Sequence, residues 1–136
     1  MKKMKTLVST TDHFETFFAG KIPRHQVFQM MDEHHVFIMI SQREIFGLVY
    51  LEAMARGMIV IGSRGEGIDG VIQDGKNGFL CNPGDTSELA NILSRIERTD
   101  GAALSKISNN ARHTAQKFTD ELVAEEYFAQ VSSTDV

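Results

Sequence analysis

Two apolar runs, separated by one helix-length segment, constrain this chain more than any other feature. The first, residues 36–40, reads Val-Phe-Ile-Met-Ile, and the second, residues 58–61, reads Met-Ile-Val-Ile. Short runs rich in β-branched and aromatic residues, with no polar alternation, are the pattern of strands buried on both faces of a parallel sheet. Parallel neighbours need a crossover, so the intervening segment is expected to be the helix of a βαβ unit, over residues 47–56. That helix is apolar nearly all round: Leu48, Val49, Leu51, Ala53, Met54 and Ala55 leave little polar face. Glu52 stands in its middle. A carboxylate buried without partners is costly or takes up a proton, so Glu52 is expected to face a cleft that holds hydrogen-bond donors.

The flanking segments extend the same alternation. Residues 1–9 read as the tail of a helix. Residues 16–19 read as a short strand ending at Gly20. Pro23 takes the first position of a helix that carries Val27, Met30 and Met31 and ends near His34. Beyond the second run, residues 62–70 form a glycine-rich loop, and the turn cluster 74–78 leads into a last strand, Phe79-Leu80-Cys81, closed by Asn82-Pro83-Gly84. Asp85 and Glu88 are spaced as a capping box, with Leu89, Ile92, Leu93 and Ile96 at helical intervals behind them. A second helix carries Leu104, Ile107, Ala111, Ala115 and Phe118. A third starts at Thr119 and buries Val123, Tyr127 and Val131, leaving residues 132–136 as a frayed tail. The expected fold is α/β: a Rossmann-like parallel sheet with flanking helices, one incomplete domain over residues 1–131.

Composition narrows the partners. A chain of 136 residues with net charge −4 and a pI near 5.7 has no basic stripe to neutralise phosphates, which excludes a nucleic-acid partner. The single cysteine, Cys81, lies in an apolar run and reads as a small buried hydrophobe. No apolar stretch follows the basic start Lys2-Lys3, and none approaches transmembrane length, so a cytoplasmic location is expected. The five histidines have no metal-ligand spacing, and no metal or cofactor is expected.

In doubly wound sheets, ligands bind outside the carboxyl ends of the strands. Here those ends are residues 20–22, 41–47, 62–70 and 82–84. Phe46-Gly47-Leu48 opens the central helix, where free N–H groups and the helix dipole favour an anion such as phosphate. Glu44 stands just before it and Glu52 about two turns later. A carboxylate accepts a pair of vicinal hydroxyls well, so Glu52 suits a ribose and Glu44 a second sugar. A phosphate between two sugars describes a nucleotide sugar.

The segment Phe17-Phe18-Ala19-Gly20-Lys21-Ile22-Pro23 and the run Glu44-Ile45-Phe46-Gly47-Leu48-Val49-Tyr50-Leu51-Glu52-Ala53-Met54-Ala55 resemble the C-terminal, donor-binding domain of retaining GT-B glycosyltransferases. The group in question is the glycogen-synthase-like and bacterial surface-polysaccharide family with an E-x7-E motif. Asp74-Gly75-Lys76-Asn77-Gly78-Phe79-Leu80 and Asn82-Pro83 follow in family order. The resemblance covers residues 15–131. It implies transfer of a sugar from a nucleoside diphosphate sugar with retention, in bacterial surface polysaccharide or glycoconjugate synthesis. It places Glu44 at the donor sugar, as the catalytic residue, Phe46, Gly47 and Leu48 at the phosphates and Glu52 at the ribose, with Ile22 also on the substrate. It further implies an enzyme peripheral to the inner membrane.

Two departures from the family pattern stand out. A glutamate expected one position before Val71 is replaced by Gly70, preceded by Asp69, so Asp69 is a candidate substitute. Nothing before Thr16 resembles the two strands whose arginine and lysine grip the diphosphate, and the N-terminal acceptor domain has no counterpart. The chain is therefore expected to be a fragment, inactive alone and a weak binder of nucleoside diphosphates. In the family those two strands lie between residues 16–19 and 36–40. Without them, either the first strand shifts beside residues 36–40 or two chains pair as a homodimer across the open edge. The rival readings are a non-catalytic nucleotide-binding or interaction module, and a sugar-phosphate isomerase or epimerase of similar architecture.

Overall fold

A computed structural model describes residues 16–118 of the chain. Its centre is β2, Ile59–Ser63, buried at all five positions. Burial on both faces follows from its neighbours: β1, Val36–Ile38, pairs with one edge and β3, Phe79–Cys81, with the other, both parallel to it. The order is β1-β2-β3, with Phe37 opposite Val60 and Ile61 opposite Phe79. Successive β2 side chains point to opposite faces. Val60 joins Tyr50, Met54, Ile68 and Ala111 on one side, while Ile59 and Ile61 join Phe79, Cys81 and Ile96 on the other.

Among the described residues four helices cover these faces: α1, Arg24–Glu33, α2, Leu48–Ala55, α3, Thr86–Arg98, and α4, Gly101–Gln116. None of the described helices is long and apolar enough to cross a membrane. The parallel α/β class expected from the two apolar runs is the class observed.

The crossover α2 is fixed at both ends. Gly47, at φ 71°, precedes its first residue, and a Cβ there would lie 2.7 Å from the Tyr50 ring. At the other end Gly57 donates to Met54 O and Met58 to Ala53 O, at 2.9 and 3.1 Å. This is a Schellman closure, which needs the left-handed conformation that Gly57 adopts at φ 78°. Ser108 on α4 donates to Gly57 O at 2.7 Å. Asn77, buried in the turn before β3, donates to Val71 O and to Thr114 Oγ1 on α4, at 3.0 and 2.9 Å.

Several expectations need correction. Residues 16–19 form no strand, so no strand shifts beside β1. Among the described residues β1 pairs with β2 alone, and as an edge it is not buried on both faces: Ile38 is 43% exposed. It is also shorter than the apolar run, although Met39 N–H still donates to Ile61 O at 3.1 Å. Pro23 is the N-cap of α1, with extended backbone at ψ 150°, rather than its first helical residue. β2 runs on through Gly62 and Ser63, into the segment expected to be loop. The capping box is half made. Asp85 accepts the Glu88 N–H at 2.8 Å, but the Glu88 carboxylate turns to the Asn82 N–H at 2.7 Å instead of returning to Asp85. The expected third helix at Thr119 and the helix tail over residues 1–9 lie outside the described residues.

Candidate functional site

At the carboxyl end of the sheet, two loops interlock. Beyond β1 the chain passes Arg43 at φ 63°, a conformation uncommon outside glycine, and reaches Glu44. The Glu44 N–H donates to Glu66 Oε2 at 2.9 Å, and the Gly67 N–H donates to Glu44 O at 3.2 Å. The 66–67 segment thus grips Glu44 by its backbone and leaves its side chain without a hydrogen bond or ion pair among the described residues. A Cβ on Gly67 would fall 1.6 Å from Ile45 O. This glycine serves the approach of one loop to the other. Asp69 accepts the Gly65 N–H at 2.6 Å, so its carboxylate folds its own loop.

Tyr50 fixes the height of α2 beneath this crossing. It is fully buried, its hydroxyl donates to Met39 O at 2.5 Å, and its ring meets Phe37 edge-on at 5.9 Å. Ser63 donates to Ser41 O at 2.7 Å, tying the ends of β1 and β2, while the Ser41 hydroxyl is buried without a hydrogen-bond partner. The N–H groups of Phe46, Gly47 and Leu48 donate to no acceptor among the described residues. They stand at the positive end of the α2 dipole, with Glu44 beside them.

Glu52 lies one side of α2 away. Its side chain is 25% exposed and ion-paired with Arg24, which is 75% exposed. Along α1, Arg24, Phe28 and Asp32 recur every four residues and face Glu52 and Arg56 on α2. Phe28 lies under both guanidinium groups, 5.3 Å from that of Arg24 and 4.4 Å from that of Arg56, and Asp32 pairs with Arg56 at 3.1 Å. No local sequence pattern marks Arg24 or Glu66. Their partners lie 28 and 22 positions away, and only the four-residue spacing along α1 hinted at a shared face. Ile22 lies elsewhere: it lines an apolar cavity of about 270 Å³ with Val27, Met30, Met31, Phe37 and Met58.

Residues 2–114 match the family model of glycosyl transferases group 1. The chain belongs to this family. It is 34% identical over 122 residues to a sulfoquinovosyl transferase of Arabidopsis thaliana, covering 84% of this chain and 24% of the relative. It is likewise 34% identical over 111 residues to an N-acetyl-alpha-D-glucosaminyl L-malate synthase of Bacillus anthracis, covering 81% and 28%. Among solved structures, a sucrose-phosphate synthase of Thermosynechococcus elongatus matches with TM-score 0.72 at 30% identity, over 88% of this chain and 31% of that one. HepE of Anabaena, in complex with UDP-glucose, matches with TM-score 0.66 at 31% identity, over 78% and 29%. The chain spans about a quarter of the length of the first two relatives.

In this group 1 glycosyltransferase chain, the end of β3 holds the groups with displaced pKa values. Burial pushes the Cys81 thiol up, and the carboxylates of Glu88 and Asp85 add to the shift. The Asn82 N–H, seconded by the Arg64 guanidinium, holds the Glu88 carboxyl below its ordinary value. A lowered carboxyl pKa contributes stability that is present above the unfolded value and lost as pH falls through the folded one. Thermal melting on the acid side of pH 4.5 should therefore show a steeper loss for the wild type than for Glu88→Gln. Equal slopes would show that Glu88 contributes nothing to the acid limb.

Proposed function

We propose that this domain holds the donor of an enzyme that transfers a sugar from a nucleoside diphosphate sugar to an acceptor with retention, in bacterial polysaccharide or glycoconjugate synthesis. One observation carries the reading. Three backbone N–H groups without an acceptor among the described residues open α2, with the Glu44 carboxylate, likewise without a partner among them, on one side and Glu52 further along the same helix. The N–H groups of Phe46, Gly47 and Leu48 receive the diphosphate, Glu44 takes hydroxyls of the transferred sugar, and Glu52 takes the ribose diol. The UDP-glucose complex of HepE supports this donor class.

The chemistry asked of these residues is electrostatic. As the bond from sugar to phosphate breaks, charge accumulates on the leaving phosphate, and preorganised N–H dipoles stabilise it without reorganising. Bound in place, that phosphate takes the proton of the incoming acceptor hydroxyl. The chain spans about a quarter of the relatives' length, so this reading assigns acceptor binding and further cations for the diphosphate to other parts of a longer enzyme and expects these residues by themselves to be inactive.

The reading is tested by titrating the isotope-labelled chain with a panel of nucleoside diphosphate sugars, UDP-glucose included. Amide shifts at residues 44–48 and around Glu52, saturating weakly, are expected. Shifts confined to the opposite end of the sheet, or none with any member of the panel, would sink it and leave a non-catalytic module.

A further inference from the structure

Arg24 is the first residue of α1, where a cation opposes the helix dipole, and α1 has no acidic residue in its first turn and no side-chain cap. The helix gains nothing from arginine there. The pair it forms with Glu52 is mostly exposed, and exposed pairs add little to stability. Yet the guanidinium is positioned from below by the Phe28 ring, and its Nη2 engages only one carboxylate oxygen, Oε1. Among the described residues, Oε2 of Glu52 and the remaining donors of the guanidinium fork have no hydrogen-bond partner.

We propose that Arg24 is a positioning residue for the nucleotide: it locks the Glu52 carboxylate in one rotamer and, with it, forms a mixed donor–acceptor pair that reads the vicinal hydroxyls of the ribose. The proposal rests on the donor-binding reading above. A free glutamate side chain loses rotamer freedom on binding a ligand, whereas one already held by Arg24 has lost it in advance. A diol matches the pair because each hydroxyl both donates and accepts: one proton goes to Oε2, and one oxygen accepts from the guanidinium. Removing the 2′-hydroxyl leaves part of the pair unanswered.

The test compares UDP with 2′-deoxy-UDP, titrated into the full chain and followed by the amide signals of α2. The wild type is expected to prefer the ribonucleotide about tenfold, the scale of one hydrogen bond to a charged group. Arg24→Ala and Glu52→Gln should each bring the two affinities within a factor of about three, and Arg24→Lys, which keeps the charge, should restore part of the preference. A folded Arg24→Ala chain that keeps the whole preference while Glu52→Gln loses it overturns the role of Arg24 and leaves the donor-binding reading standing. A wild type without preference or without binding, or a Glu52→Gln chain that keeps the preference, overturns both. Should the melting curve show Arg24→Ala unfolded, Arg24→Gln, which keeps a donor without the charge, takes its place under the same outcomes.

Discussion

Gly67→Ala is expected to destabilise the protein by about 3 kcal/mol or more and to abolish nucleotide binding in whatever fraction remains folded. The added methyl would sit 1.6 Å from Ile45 O. A backbone carbonyl cannot rotate aside as a side-chain tip can, so the 44–46 segment must move as a unit. That movement breaks the bond from the Gly67 N–H to Glu44 O and the bond from the Glu44 N–H to Glu66. It also shifts the unpaired N–H groups that follow. Chemical denaturation gives the first quantity and the nucleotide-sugar titration the second. A Gly67→Ala chain with wild-type stability would show that the two loops do not approach so closely. Gly65→Ala makes a useful companion, because no atom lies within 4 Å of its added methyl and only the strain of its positive φ is tested.

The second large effect concerns activity. In an enzyme that contains this domain with its acceptor half, Glu44→Gln or Glu52→Gln should lower kcat/KM by about a hundredfold or more, the scale seen when one preorganised electrostatic contact is lost. Neither change should disturb folding, because Glu44 makes no side-chain bond among the described residues and Glu52 makes a single one there, to the exposed Arg24 side chain. The two need not act alike. A loss confined to kcat marks a contact made in the transition state, whereas a rise in KM alone marks uniform binding. Under the proposed function, Glu44→Gln is expected to show the first pattern and Glu52→Gln the second. Unchanged kcat/KM in both variants would remove the site.

The parts of this fold that could be read in advance are those decided locally. β2 announces itself because both its faces are buried, which demands an unbroken apolar run. Cys81 was legible for the same reason, lying in the fully buried β3. On α4, Ala111 and Ala115 fall four residues apart on the face that packs against the core, as periodicity required. What could not be read depends on partners distant in sequence. β1 carries as apolar a run as β2, yet among the described residues it lies at an edge, a fact of topology rather than composition. Pro23 fits the cap and the first helical position equally well by its fixed φ, and only ψ separates them. Residues 62–70 read as a glycine-rich loop at the end of the sheet where ligands bind. Gly67 instead makes room for Ile45, a contact 22 positions away in the chain that no local pattern encodes.

The tethering of α2 at its rear has a mechanical consequence. Ser108 and the Schellman closure hold the helix at Gly57, while the groups proposed to meet the diphosphate lie at its front. Eight residues of α-helix make a rod about 12 Å long. A rod pinned at one end turns small angular errors there into large displacements at the other: a tilt of about 10° carries the front by ~2 Å, more than the tolerance of a hydrogen bond. The seat of α4 against the rear of α2, on the same face of the sheet, is therefore the pivot that aims the N–H groups at the front of the helix, and alignment at the front is governed from the back.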